Sequence, residues 1–136
     1  MFDKPFRLQI ITPTRVVYQD EALSVSAPGV LGGFQVLYNH APLLSSLEVG
    51  VIKVKKADGS ELQFATSGGF LEVKQNEVVV LADSAELSSD IDSVRAERAR
   101  ERAQNRLHSK DPAVDVERAR LSMLRALNRL RVVGHE

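Results

Sequence analysis

Arginine is the residue type whose number and spacing in this sequence could do chemistry. From Ser88 to Glu136 there are eleven Lys and Arg, ten of them arginine. Arg95, Arg98, Arg102 and Arg106 recur every three or four residues, and Arg118, Arg125 and Arg129 follow a related spacing, which stacks side chains along one face of a helix. The planar guanidinium pairs in a fork with phosphates and carboxylates, so a phosphorylated ligand and an acidic protein surface are the two partners these stripes suit. The same spacing also describes a solvated face on which Glu97 and Glu101 pair with neighbouring arginines. Nucleic acid fits poorly, because the formal net charge is zero and the arginine-rich part has no Phe or Tyr on which a base could stack.

Other chemistries lack their residues. Without cysteine there is no thiolate nucleophile, no thiolate metal site and no disulfide. The three histidines are scattered without ligand spacing, so no metal is expected. His40, in Tyr38-Asn39-His40-Ala41-Pro42, has no neighbouring acid, and no G-x-S-x-G serine occurs, which gives it a turn or packing role. Gly29, Gly32 and Gly33 match neither a phosphate-binding loop nor a dinucleotide fingerprint and read as loop and bulge residues. No catalytic residue is expected, and an enzyme acting alone is set aside.

The elements that must carry the arginines differ from those that precede them. Residues 1–87 have a net charge of −3 and residues 88–136 a net charge of +3, which divides the chain into two differently built segments. In the first, Phe6-Arg7-Leu8-Gln9-Ile10 and Leu23-Ser24-Val25-Ser26-Ala27 alternate with the period of half-buried strands. Asp58-Gly59 between two such runs signals a hairpin, and Gly68-Gly69 and Gln75-Asn76 supply further turns. The expected fold class is an all-β antiparallel β-sandwich or flattened barrel over residues 1–87. Beyond it, Ser88–Leu107 and Val114–Val133 lack Gly and Pro and are rich in Ala, Arg, Glu and Leu, which predicts two helices. Ser89 to Asp92 has capping-box spacing and Asp111-Pro112 suits the start of the second helix. Ala96, Ala99, Ala103 and Leu107 share one face of the first helix, and Ala119, Ser122 and Ala126 one face of the second. Small residues on both predict a close two-helix α-hairpin over residues 88–136. Alanine buries little apolar area, so the hairpin should be marginal and able to rearrange.

With 136 residues, 43% hydrophobic and 26% charged, the chain has the composition of an ordinary small globular protein. No run approaches the roughly 18 apolar residues of a membrane span, and Met1-Phe2-Asp3-Lys4-Pro5 does not lead from a basic segment into an apolar one. Neither membrane insertion nor secretion is expected.

Taken along its whole length, the sequence closely resembles the epsilon subunits of bacterial F-type rotary ATP synthases. The resemblance is carried by Gly32 to Leu44 with His40-Ala41-Pro42-Leu43-Leu44, by Ala65-Thr66-Ser67-Gly68-Gly69-Phe70-Leu71-Glu72-Val73, by Val80-Leu81-Ala82-Asp83, and by the Arg- and Ala-rich tail. The chain departs from that pattern before His40, where Gln35, Tyr38 and Asn39 replace the usual glycine, proline and glycine. The resemblance implies a non-catalytic subunit whose sandwich sits on the gamma subunit against the ring of c subunits, at the cytoplasmic face of the bacterial membrane as a peripheral protein. It implies a hairpin that either lies folded or extends along gamma to the alpha and beta subunits, where its bases block ATP hydrolysis.

The same resemblance implies a regulatory ATP site and no required cofactor. Ile91-Asp92-Ser93-Val94-Arg95-Ala96 fits the family's consensus of Ile or Leu, Asp, two variable residues, Arg and Ala, and Glu86, Arg102, Arg125 and Arg129 match the other positions around the nucleotide. On this reading Asp92 accepts from the adenine amine, Ile91 and Ala96 pack on the ring, and the arginines clamp the phosphates. A purely structural coupling subunit, whose hairpin stays docked and does not bind ATP usefully, is the alternative.

Overall fold

A computed structural model describes residues 4–134. The start of the chain, Met1 to Asp3, His135 and the outermost ends of both expected domains lie outside the described residues. The chain forms two compact units that meet between Leu87 and Ser88.

The first unit holds nine strands: β1 (Phe6–Ile11), β2 (Val16–Ala27), β3 (Phe34–Val36), β4 (Leu43–Leu47), β5 (Gly50–Lys56), β6 (Glu61–Thr66), β7 (Gly69–Lys74), β8 (Glu77–Ala82) and β9 (Ala85–Leu87). They follow the order β4-β7-β8-β1-β2-β5-β6-β9, with β3 on β2. The 12-residue β2 bonds to β1, β3 and β5 and so belongs to both layers. Register shifts beside Ile10/Ile11 and between Ala22 and Ser24 mark where the sheet bends. Alternation along each strand sends Phe6, Leu8, Ile10, Val25, Val36, Ile52, Val54, Phe64, Leu71 and Val80 into one shared core. The expected β-sandwich is therefore present.

Its turns follow the sequence closely. Asp58 accepts from the Ser60 N–H at 2.9 Å and the Ser60 hydroxyl at 2.6 Å, and Gly59 takes a φ of 89° that side chains resist. Those two bonds hold the Asp58 carboxyl below the usual carboxylate range. Gln75 and Asn76, with φ of 50° and 62°, join β7 to β8. One pairing differs from the antiparallel expectation: β1 and β8 run parallel. The partner of β1 is some seventy residues away in sequence, a distance over which strand periodicity carries no directional signal.

The second unit begins with a single 3-10 turn at Ser88–Asp90, followed by α1 (Ser93–His108) and α2 (Val116–Val133). Both helices start later than the composition predicts. Asp92, rather than Ser89, caps α1 by accepting from Arg95 N at 3.1 Å, and Asp115, rather than Asp111, caps α2 by accepting from Arg118 N at 3.1 Å. Asp111 instead closes a turn with Ala113 N at 2.9 Å, because a helix begins where the last available side-chain acceptor meets three free N–H groups. The helices pack along each other, and the 3-10 turn preceding α1 also touches α2, so the two run antiparallel. Ala96 and Ala103 of α1 and Ala119 and Ala126 of α2 are buried along the seam. Ala99, Leu107 and Ser122 are only partly buried.

Candidate functional site

Each seam alanine is directly preceded by an arginine: Arg95-Ala96, Arg102-Ala103, Arg118-Ala119 and Arg125-Ala126, seven residues apart within each helix. One residue turns a helix by about 100°, so these arginines stand a quarter turn from the seam, always in the same sense. Two facing antiparallel helices are related by a two-fold axis through the seam, and a rotation preserves sense. The arginines of both helices therefore lie on one common face of the hairpin, flanking the alanine seam. Arg98 and Arg106 extend the stripe on α1, and Arg129 extends it on α2. Antiparallel order sets Arg95 beside the Arg125 and Arg129 end of α2, and Arg102 and Arg106 beside Arg118.

Two local ion pairs form on these helices. Glu97 pairs with Arg100, through Nε at 2.8 Å and through Nη2, and Glu117 pairs with Arg120 at 2.6 Å. Both pairs lie off the stripes, and Glu97 pairs with a neighbouring arginine as the solvated-face reading expects. The Arg100 hydrogen bond, supported by its charge, holds the Glu97 carboxyl below the usual carboxylate range. Arg95, Arg98, Arg102, Arg106 and Arg118 are exposed, while Arg125 is half-buried and donates to the Ser122 hydroxyl at 3.4 Å. Like charges three and four residues apart on one face repel. An anion placed over the seam relieves several of these repulsions together.

The other residues matched by resemblance fall into three situations. Asp92 uses one carboxylate oxygen to cap α1, and the remaining lone pairs stay able to accept from a ligand amine. Ile91 is half-buried at the entry to α1, whereas Ala96 is buried in the seam. Glu86 is half-buried on β9, opposite Ala65 of β6, in the first unit, while the rest stand on the second.

Two features escaped the sequence reading. The pattern Asp, two residues, Arg, Ala occurs twice, at Asp92 to Ala96 and again at Asp115 to Ala119, and in both copies Asp caps a helix and Ala fills the seam. The motif therefore encodes a helix start and a packing contact as well as any ligand contact, and its duplication was legible in the sequence. Asn128, buried on α2 and accepting from Arg131 Nη2 at 2.6 Å, gave no signal, since an asparagine among arginines reads as surface.

Comparisons with known proteins agree with this architecture. Residues 5–88 match the family described as ATP synthase, Delta/Epsilon chain, beta-sandwich domain, and residues 89–134 match its long alpha-helix domain. A relative named ATP synthase epsilon chain from Moorella thermoacetica is 48% identical over 127 residues, covering 93% of this chain and 95% of that one. Another of the same name from Desulforamulus reducens is 44% identical, covering 94% and 96%. Among solved structures, a chain of the Euglena gracilis mitochondrial ATP synthase (OSCP/F1/c-ring) shares the fold with a TM-score of 0.76 at 23% identity, covering 90% of this chain and 79% of that chain. With both units matched and the likeness running through nearly the whole of its relatives, this chain belongs to the ATP synthase delta/epsilon family as an epsilon chain, a non-catalytic subunit of that complex.

Proposed function

We propose that the chain couples the gamma subunit to the c-ring through its sandwich and restrains ATP hydrolysis through its hairpin, whose folded form is held by bound ATP. The single observation that carries the regulatory part is the common basic face. Two arginine stripes meet across a seam of alanines, so the contact that holds the hairpin closed is weak and the charge beside it opposes closure. A triphosphate bridging Arg95, Arg125 and Arg129, with Arg102 next along the stripe, offsets that repulsion. Asp92 and Ile91 stand at the same end and suit an adenine, while Ala96 acts through the packing beneath them.

Released from that state, the stripes are free to meet acidic surfaces of the alpha and beta subunits and hinder hydrolysis. On this reading the chain is a peripheral subunit at the cytoplasmic face of the membrane; no helix among the described residues is long and apolar enough to cross a membrane. Calorimetric titration of the full chain with ATP, with GTP as control, tests the reading. Saturable binding that prefers ATP supports it. A flat ATP titration leaves the structural coupling subunit, with a permanently closed hairpin, as the function.

A further inference from the structure

The two helices repeat one another. Arg102-Ala103-Gln104-Asn105-Arg106-Leu107 of α1 reappears in α2 as Arg125-Ala126-Leu127-Asn128-Arg129-Leu130, and Asp92 to Ala96 reappears as Asp115 to Ala119, all at a single offset of 23 residues. The geometry repeats with the sequence. Asp92 and Asp115 share one backbone conformation, φ −81° with ψ of 104° and 102°, and each accepts at 3.1 Å from the arginine N–H three residues on. Ala96 N and Ala119 N each donate to the carbonyl of their capping aspartate at 3.0 Å, and both alanines are buried in the seam. Because the helices run antiparallel, a repeat at constant offset amounts to a two-fold axis through the middle of the hairpin, which carries one end of the arginine face onto the other. What Asp92, Arg95 and Arg129 present at the end away from the connecting loop, Asp115, Arg118 and Arg106 present at the loop end.

We infer that the loop end of the hairpin, around Asp115, Arg118 and Arg106, is a second and weaker site for an oligophosphate ligand of the nucleoside triphosphate class. The inference rests on the ATP reading of the other end proposed above and extends it. Arg102, Arg106 and Arg118 are exposed, and among the described residues none of them is held in an ion pair, so their donors are available to phosphate oxygens. Asp115 spends one carboxylate oxygen on its cap and keeps the rest to accept from a ligand amine. Val114 supplies a half-buried branched side chain where the other end has Ile91. The mixed sign of the set selects the partner: an acidic protein surface meets Asp115 as a like charge, whereas a nucleotide brings a donor for Asp115 together with phosphates for the arginines. Lower affinity follows from a difference between the copies. Arg125 and Arg129 are half-buried while their counterparts Arg102 and Arg106 are exposed, so binding at the loop end must order freer side chains and meets more screening by salt. Two sites on one folded form widen the range over which ATP closes it, and protection of the hairpin keeps rising after the first site has filled.

The test follows the backbone amides of the full, nitrogen-15-labelled chain by NMR during titration with ATP at fixed ionic strength. Amides of Asp92 to Ala96 should shift first, and those of Asp115 to Ala119 in a later step whose midpoint is about ten-fold higher. Arg106→Gln combined with Arg118→Gln keeps both caps, since these use backbone N–H groups, and should raise the later midpoint by at least about ten-fold while moving the first by less than about three-fold. Inorganic triphosphate is the second probe. Loop-end binding as tight as that of ATP supports a site for any oligophosphate chain, and tighter binding of ATP supports the site with a base contact at Asp115 as well. Loop-end amides that do not shift, that are indifferent to the Arg106 and Arg118 changes, or that share the first midpoint and are silenced by Arg95→Gln combined with Arg129→Gln, overturn the second site and leave the ATP reading standing. Shifts at the loop end with none at Asp92 to Ala96 keep the second site and overturn that reading. A chain that shifts at neither end overturns both.

Discussion

Asp92 caps α1, which changes how its proposed ligand contact must be probed. Asp92→Ala removes the α1 cap and costs about 0.5–2 kcal/mol of helix stability, so weakened ATP binding by that variant would not identify the adenine contact. Asp92→Asn keeps an oxygen for Arg95 N and presents an NH₂ group in place of the second oxygen. Thermal stability should stay within about 0.5 kcal/mol of wild type, while calorimetry should show ATP weakened and GTP strengthened, because adenine offers a donor where guanine offers an acceptor. Unchanged nucleotide preference would remove Asp92 from the site. Arg125→Ala leaves both caps and the seam intact, and loss of one charge-assisted hydrogen bond should weaken ATP by about 1.5–3 kcal/mol, roughly ten- to a hundred-fold. The arginine stripes were legible because charge at helical spacing is visible in sequence, whereas Asp92 was matched as a candidate through the resemblance alone. The half-burial of Arg125 was not legible, since periodicity does not say what covers a residue. In the sandwich, Tyr18 is buried and donates to Glu21 O at 2.9 Å, and burial first, then the charges of Asp20 and Asp58, raise its pKa above 10.0. The protonated form is the one the fold prefers, so its contribution is fully present below pH 10 and is lost as pH rises beyond it. Alkaline melting should show a fall in Tm that Tyr18→Phe reduces.

At the scale of elements, the two units rest on different physics and should respond to different substitutions. The sandwich pairs every strand within residues up to Leu87 and encloses its own core, so a fragment ending at Leu87 should melt cooperatively by circular dichroism; an unfolded fragment would contradict two separate units. The hairpin closes on alanine methyls, and Ala126→Leu forces a larger side chain into that seam at a cost of about 1–3 kcal/mol. Limited proteolysis should then cut α2 faster while the sandwich stays protected, and ATP should slow the cutting in wild type. Strands and helices were readable because alternation and Gly-free Ala/Arg runs are local signals. Helix starts were displaced because several candidate caps, Ser89, Asp92, Asp111 and Asp115, stood within reach and only the geometry of the first turn selects among them. The parallel β1 and β8 pairing was hidden because it exists only once register is set between distant segments.

For the molecule as a whole, the two proposed roles separate along the chain, and a truncation can divide them. A ligand bound only by the folded hairpin stabilises it by RT ln(1 + [ATP]/Kd), about 2.7 kcal/mol when ATP is a hundred times its dissociation constant. That is comparable to what a seam of four alanines can supply, so the nucleotide is able to decide between closed and open forms. Inhibition of hydrolysis should accordingly fade as ATP rises, and Arg125→Ala should move the ATP concentration needed upward by the same ten- to hundred-fold that it loses in affinity. Removing everything after Leu87 takes away both stripes while leaving the sandwich. In the assembled synthase this should raise ATP hydrolysis at low ATP, abolish the ATP dependence of inhibition and leave proton-coupled synthesis largely intact. Measuring hydrolysis and synthesis on the same preparation decides the case: synthesis lost together with the hairpin would place coupling on the helices. Hydrolysis unchanged at low ATP would make the basic face a solvated surface of a purely structural subunit.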